Sequence, residues 1–211
     1  LTSDAWERVR SVKELRSRQF REDDSPLAMA VMPAELQAVE NIYNGTTYDK
    51  GAEILRMMAT MMGWETFIAG VKDYFDTYKG QAVTIDDFIK KMEKASGLDL
   101  SGQFKLWYTQ SGRPRVTAEG VYDAKSSTYR LTLKQEVPPT RDQANKKPMV
   151  LPVKMGLVDD KGNALPLILD SDDSQTQDCG NTEPKRPVIS LPPCPDRDDT
   201  GEKRQDTIPL E

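Results

Sequence analysis

The 211-residue chain contains no histidine. That absence removes the commonest general base and the commonest metal ligand from any chemistry the polypeptide performs alone. Aromatic residues make up only 7% of it, and there are two cysteines, Cys179 and Cys194. Two thiols at that spacing, with no histidine to join them, make a poor zinc site and read as incidental, so no metal ligand is expected within the chain. No apolar run approaches the ~20 residues that span a bilayer, so no membrane partner is expected. Basic residues do not dominate either: 29 Lys and Arg stand against 34 Asp and Glu, for a net charge of -5. Without a basic stripe to neutralise phosphates, nucleic acid is not an expected partner.

What is present suits one domain or two small ones. Charged residues make up 30% and apolar residues 37%. The charge is uneven. Residues 170–211 hold 11 acidic and 5 basic residues, six prolines and no Phe, Trp or Tyr. Such a segment buries little apolar surface, which predicts an irregular, acidic, Pro-rich tail that limited proteolysis trims first.

The first half has helical spacing. Trp6, Val9, Val12 and Leu15 recur at three-residue steps between charges. Pro26 and Pro33 then mark an extended crossing, because each pushes its preceding residue out of the α region. From Lys50, the residues Ile54, Leu55, Met57, Met58, Met61 and Met62 predict a buried helix that Gly63 ends. Trp64, Phe67, Ile68, Val71, Tyr74 and Phe75 predict a second helix with one apolar face. Thr84 with Asp87 three residues on is a capping-box arrangement for a third. "SGQFKLWYTQSG" predicts a short aromatic helix ending at Gly112.

At Arg113 the period changes. "RVTAEGVY", "STYRLTLKQEV" and "MVLPVKMGLV" read as strands, and "DDKGN" as a tight turn between "MGLV" and "ALPLIL". The expected class is α+β, with helices over 1–112, a small antiparallel β-sandwich over 113–169 and the irregular tail over 170–211.

"YDKGAEILRMM", "LWYTQSGRPRVT" and "PPTRDQANKKPMVLPVKMGLVDDKGN", with "SRQFREDDSPLA" upstream, resemble the bacterial type of the aminopeptidase N family of zinc metallopeptidases. The four segments keep one order and compatible spacing over residues 1 to about 169; the tail from Asp170 does not follow the family well. The resemblance implies that residues 1–112 are the later, helical half of a thermolysin-like catalytic domain, and 113–169 the family's small sandwich domain. It implies zinc on an H-E-x-x-H helix with a downstream glutamate, all N-terminal to Leu1, so that this chain is an internal fragment binding no zinc itself. The implied partners are a peptide substrate and the remaining domains of the full-length enzyme. A cytoplasmic location is expected.

Two tyrosines lie just upstream of the Met-rich helix. By pattern alone, Tyr48 reads as a half-buried packing residue and Tyr43 as a surface aromatic on a turn. The resemblance implies more: Tyr48 matches the tyrosine that hydrogen-bonds the tetrahedral intermediate of peptide hydrolysis. Tyr43 matches a position lining the pocket for the substrate's first side chain. The chemistry is sound, since a phenol with a pKa near ~10 stays protonated at neutral pH and donates to an oxyanion. Two departures bear on activity. "AMAVMP" stands where the family usually carries a histidine and an arginine, and "NGTT" where it has bulkier residues. The alternative function is therefore a catalytically inactive relative serving as a peptide-binding or structural module.

Overall fold

A computed structural model of the chain describes residues 4–36, 38–166, 168–169 and 188–190. They belong to two compact units, one of residues 1–115 and 136–152, the other of residues 116–135 and 153–211.

The first unit is helical. Helix α1 (Asp4–Glu14) runs through a π turn (Leu15–Gln19) into α2 (Phe20–Asp23). A second π turn (Thr46–Lys50) opens directly into α3 (Gly51–Met62), followed by α4 (Trp64–Tyr78), α5 (Ile85–Ser96) and α6 (Leu106–Thr109). Gly63, at φ 83°, makes the abrupt corner between α3 and α4, a backbone conformation that favours glycine. Ile54, Met58, Phe67, Ile89, Met92, Leu100, Phe104 and Tyr108 form the buried core. Helices α4 and α5 approach closely at Gly70, where a Cβ would stand 2.9 Å from Met92 Sδ. Arg8 pairs with Glu53 through a two-pronged hydrogen bond and so ties α1 to α3.

The capping box forms as the sequence predicts. The Thr84 backbone N–H and hydroxyl donate to the Asp87 carboxylate at 2.9 and 2.8 Å. The Thr84 backbone N–H, and then its hydroxyl, hold the Asp87 carboxyl below the usual carboxylate range. A depressed folded pKa stabilises the fold above the unfolded value of about 3.9 and loses that contribution as pH falls through the folded value. Asp87→Asn is therefore expected to unfold more readily than wild type at pH 6, with the gap narrowing as pH falls below the unfolded value of about 3.9. Urea titrations across that range check it. A pH-independent gap would show that the charge of Asp87 contributes nothing.

The second unit is β-structured. Strands β1 (Arg115–Asp123), β2 (Thr128–Glu136), β5 (Ile168–Leu169) and β6 (Val188–Ser190) form one sheet in the order β1-β2-β6-β5. β6 pairs antiparallel with β2, Tyr129 opposite Ile189, and with β5, Leu169 opposite Ile189. Tyr129 lies over Gly120 and leaves no room there for a Cβ. Strands β3 (Leu157–Val158) and β4 (Ala164–Leu165) pair as a separate hairpin. Its turn is closed by the Asp159 N–H donating to Asn163 O at 2.9 Å, with Gly162 at φ 84°.

The helix expected around Trp6 and Val9 forms as α1; both residues are exposed and α1 buries no residue fully, because three-residue steps drift around a 3.6-residue helix and never settle on one face. Three expectations need correction. On α4 only Phe67 and Gly70 are buried; Trp64, Ile68 and Phe75 are exposed. "MVLPVKMGLV" pairs only at Leu157–Val158. Its start runs with the helical unit instead, where Met149 is buried and Val150 O accepts the Trp107 indole N–H at 2.8 Å. Residues 113–169 are thus not one piece, since 136–152 return to the helices. Lastly, Val188–Ser190 is a strand inside the segment read as an irregular tail. The rest of that segment from Asp170, with Cys179 and Cys194, lies outside the described residues.

Candidate functional site

The region of interest is the π turn Thr46–Lys50, which carries Tyr48. A π turn holds one residue more than an α turn; such bulges are rare and frequently mark functional sites. This one is built by side chains on both flanks. Asn44 Oδ1 accepts the Thr47 N–H at 2.8 Å, giving one free helix-start donor a partner. Thr46 is fully buried, and its N–H and hydroxyl both donate to Glu22 Oε1, at 3.2 and 2.7 Å. The next residue of α2 anchors the other end of the turn: Lys50 Nζ donates to Asp23 Oδ2 at 2.8 Å and to Gly112 O at 2.6 Å. Gly45 sits close to the carboxylates around the turn: a Cβ there would stand 3.0 Å from Glu22 Oε2 and 3.3 Å from Asp49 Oδ2, so those side chains would have to shift to admit one. The two π turns of the unit pack on each other, so the Tyr48 turn rests on an equally irregular neighbour.

The structure brings the two predicted site residues together. The Tyr43 and Tyr48 rings stack with centroids 6.3 Å apart and 25° between planes. Tyr43 is 67% and Tyr48 57% exposed, so neither is a packing residue of the described unit and both present their phenols to solvent. The turn leads into the N-terminus of α3, which adds positive backbone dipole near the Tyr48 side chain. Together these give an exposed hydrogen-bond donor on a turn pinned at both ends.

Behind the turn, the segment after α6 is held by a second polar cluster. Ser111 is fully buried, and its hydroxyl donates to Asp142 Oδ1 at 2.7 Å. Lys146 Nζ donates to Ser111 O and to Ser111 Oγ at 3.0 Å. Burial pushes the Lys146 ammonium below its usual range, the Asp142 charge partly opposing this. Burial would raise the Asp142 carboxyl, but hydrogen bonds from Thr140 and Ser111 outweigh it and the net shift is downward. This cluster fixes Gly112, whose carbonyl receives Lys50. A cleft of about 440 Å³ opens beside it, lined by Asp24, Arg113, Arg115 and Arg141 among others, and neither Tyr43 nor Tyr48 lines it.

Sequence reading missed Thr46, Glu22, Asp23 and Lys50. Lys50 stood in the quoted "YDKG", yet a lysine ahead of an apolar helix normally reads as solvated, and its partner lies 27 residues upstream. Among the described residues no group of three or more His, Cys, Asp or Glu side chains is placed to hold a metal ion. Among the described residues no helix is long and apolar enough to cross a membrane.

The helices and the small antiparallel sheet that follows them in sequence align with known peptidases. A family described as "Peptidase family M1 domain" matches residues 2–107, and a domain of unknown function with an Ig-like fold matches residues 112–192. Aminopeptidase N of Escherichia coli K12 is 42% identical over 167 residues, which are 79% of this chain and 19% of that protein. Aminopeptidase N of Haemophilus influenzae is 42% identical over 160 residues, 76% of this chain and 18% of that protein. Aminopeptidase A of Legionella pneumophila, solved in complex with aspartic acid, superposes with a TM-score of 0.50 at 31% identity. That match covers 60% of this chain and 16% of that one. The chain belongs to the aminopeptidase N family of M1 peptidases. It spans about a fifth of the length of the curated relatives named here.

Proposed function

We propose that this chain is part of a zinc aminopeptidase that hydrolyses N-terminal residues from peptides. Tyr48 donates its phenolic hydrogen bond to the oxyanion of the tetrahedral intermediate, and Tyr43 lines the pocket for the substrate's first side chain. The observation that carries this reading is the placement of Tyr48: an exposed phenol on a π turn whose two ends are tied to α2. A donor helps catalysis when its position is set before the charge develops, since no reorganisation is then needed at the moment of reaction. On this reading the helical unit is the later part of a thermolysin-like catalytic domain, and the zinc ligands belong to other parts of the full-length protein. The donor role of Tyr48 does not depend on which group activates the attacking water. The exposed stripe Trp64, Ile68 and Phe75 on α4 is suited to covering by those other parts.

The test uses the full-length protein carrying this chain. It is expected to hydrolyse an aminoacyl-anilide and to leave the N-acetylated form of the same anilide intact, because an aminopeptidase needs a free amino terminus. Residues 1–211 alone are expected to hydrolyse neither. No turnover by the full-length protein, or equal turnover of the blocked substrate, would remove the reading.

A further inference from the structure

We propose that Thr46 and Lys50, through Glu22 and Asp23, are positioning residues that set where the Tyr48 hydroxyl stands. This rests on the reading of Tyr48 as the oxyanion donor and extends it to four residues that do not touch substrate. The two anchors flank Tyr48 symmetrically in sequence, two residues before it and two after. Both reach consecutive carboxylates at the end of α2, Glu22 for Thr46 and Asp23 for Lys50. Both are buried: Thr46 is 0% and Lys50 4% exposed, while the tyrosine between them is 57% exposed. A turn that only packed would be held by its apolar contacts. Here charged and polar groups are buried at both ends, at a desolvation cost, and the residue they bracket faces solvent. Each anchor also has a further grip. The Thr46 backbone N–H shares Glu22 Oε1 with the hydroxyl, and Lys50 Nζ reaches Gly112 O. The backbone on either side of Tyr48 is therefore fixed to α2, and the phenol swings only about its own side-chain torsions. Misplacing a reacting group by about 1 Å can lower a rate ~10²-fold, so a lock of this kind bears on rate as well as on folding.

The test is a double-mutant cycle in the full-length protein, with aminoacyl-anilide turnover and thermal unfolding measured on each variant. Thr46→Val keeps the shape and removes the hydroxyl; Thr46→Ser keeps the hydroxyl. Thr46→Val is expected to lower kcat about tenfold or more with KM within about twofold, and Thr46→Ser to restore most of it. In a Tyr48→Phe background the same Thr46→Val change should alter kcat less than about twofold, because the group it positions is gone. Glu22→Gln, which weakens the acceptor without altering shape, serves as the second variant if Thr46→Val does not fold. The outcomes separate the two ideas. If Tyr48→Phe alone leaves kcat unchanged, the oxyanion reading fails and this inference fails with it. If Tyr48→Phe is damaging but the Thr46 and Glu22 changes lower kcat equally in both backgrounds, the oxyanion reading stands and the positioning inference is overturned. Loss of thermal stability with unchanged kcat would also overturn it.

Discussion

Tyr48→Phe in the full-length protein is expected to lower kcat by ~10²–10³ while KM stays nearly constant. The substitution removes one oxygen and leaves the ring, which already stacks on Tyr43 and is more exposed than buried. Folding should thus hardly change, and equal melting curves for the two proteins are part of the expected result. The loss falls on kcat because the oxyanion exists in the transition state and not in the bound substrate. Removing one such donor corresponds to roughly 3 kcal/mol. Tyr43→Phe should behave differently: a pocket wall contacts substrate before and during reaction, so its loss should shift preference among N-terminal residues by a few-fold. Steady-state kinetics on a panel of aminoacyl-anilides separates the two patterns. A Tyr48→Phe enzyme with wild-type kcat would leave Tyr48 as an exposed ring with no catalytic part.

The largest stability effect is expected at the buried ion pair. Lys50 and Asp23 side chains are 5% and 1% exposed and 2.8 Å apart. Lys50→Met leaves the buried Asp23 carboxylate without its ion-pair partner, and removing one partner of such a pair typically costs about 3–5 kcal/mol. Two features place this case toward the upper end. Gly112 O loses a donor at the same time, and Asp23 Oδ1 is buried with no hydrogen-bond partner among the described residues. The double change Lys50→Met with Asp23→Leu should recover much of the loss, since an apolar pair avoids desolvating two charges. Urea unfolding of the single and double variants checks this. A single variant as stable as wild type would mean that water reaches Asp23.

How much of this was legible beforehand differs by element. The helix carrying Met58 and the capping box at Thr84 were readable because their determinants sit within one or two turns of each other. Periodicity also separated helices from strands near Arg113. It failed where the partner surface is remote in sequence. Nothing local in "MVLPVKMGLV" tells that Met149 and Val150 belong with Trp107 rather than in a sheet, and an apolar run serves either purpose. The exposed side of α4 is a similar case, since Trp64, Ile68 and Phe75 are as apolar as the residues α4 does bury. Tyr48 was singled out by motif resemblance, whereas its anchors were invisible. Hydrogen bonds between residues 24 and 27 apart leave no periodic trace.

The π turn has a consequence for chain length. A straight α-helix advances about 1.5 Å and about 100° per residue. Deleting one residue between Thr46 and Lys50 would let the turn relax into an ordinary continuation of α3, with no hydrogen bond lost in the ladder. Because a π turn holds one residue more than an α turn, the chain on either side would stay nearly in phase, whereas the same deletion within the regular part of α3 would rotate the two sides by about 100° against each other. What the shortened turn loses is the extra residue in the stretch that carries Tyr48 between its two anchors. The fold should therefore tolerate a deletion here better than one within α3, while the placement of Tyr48 should not survive it.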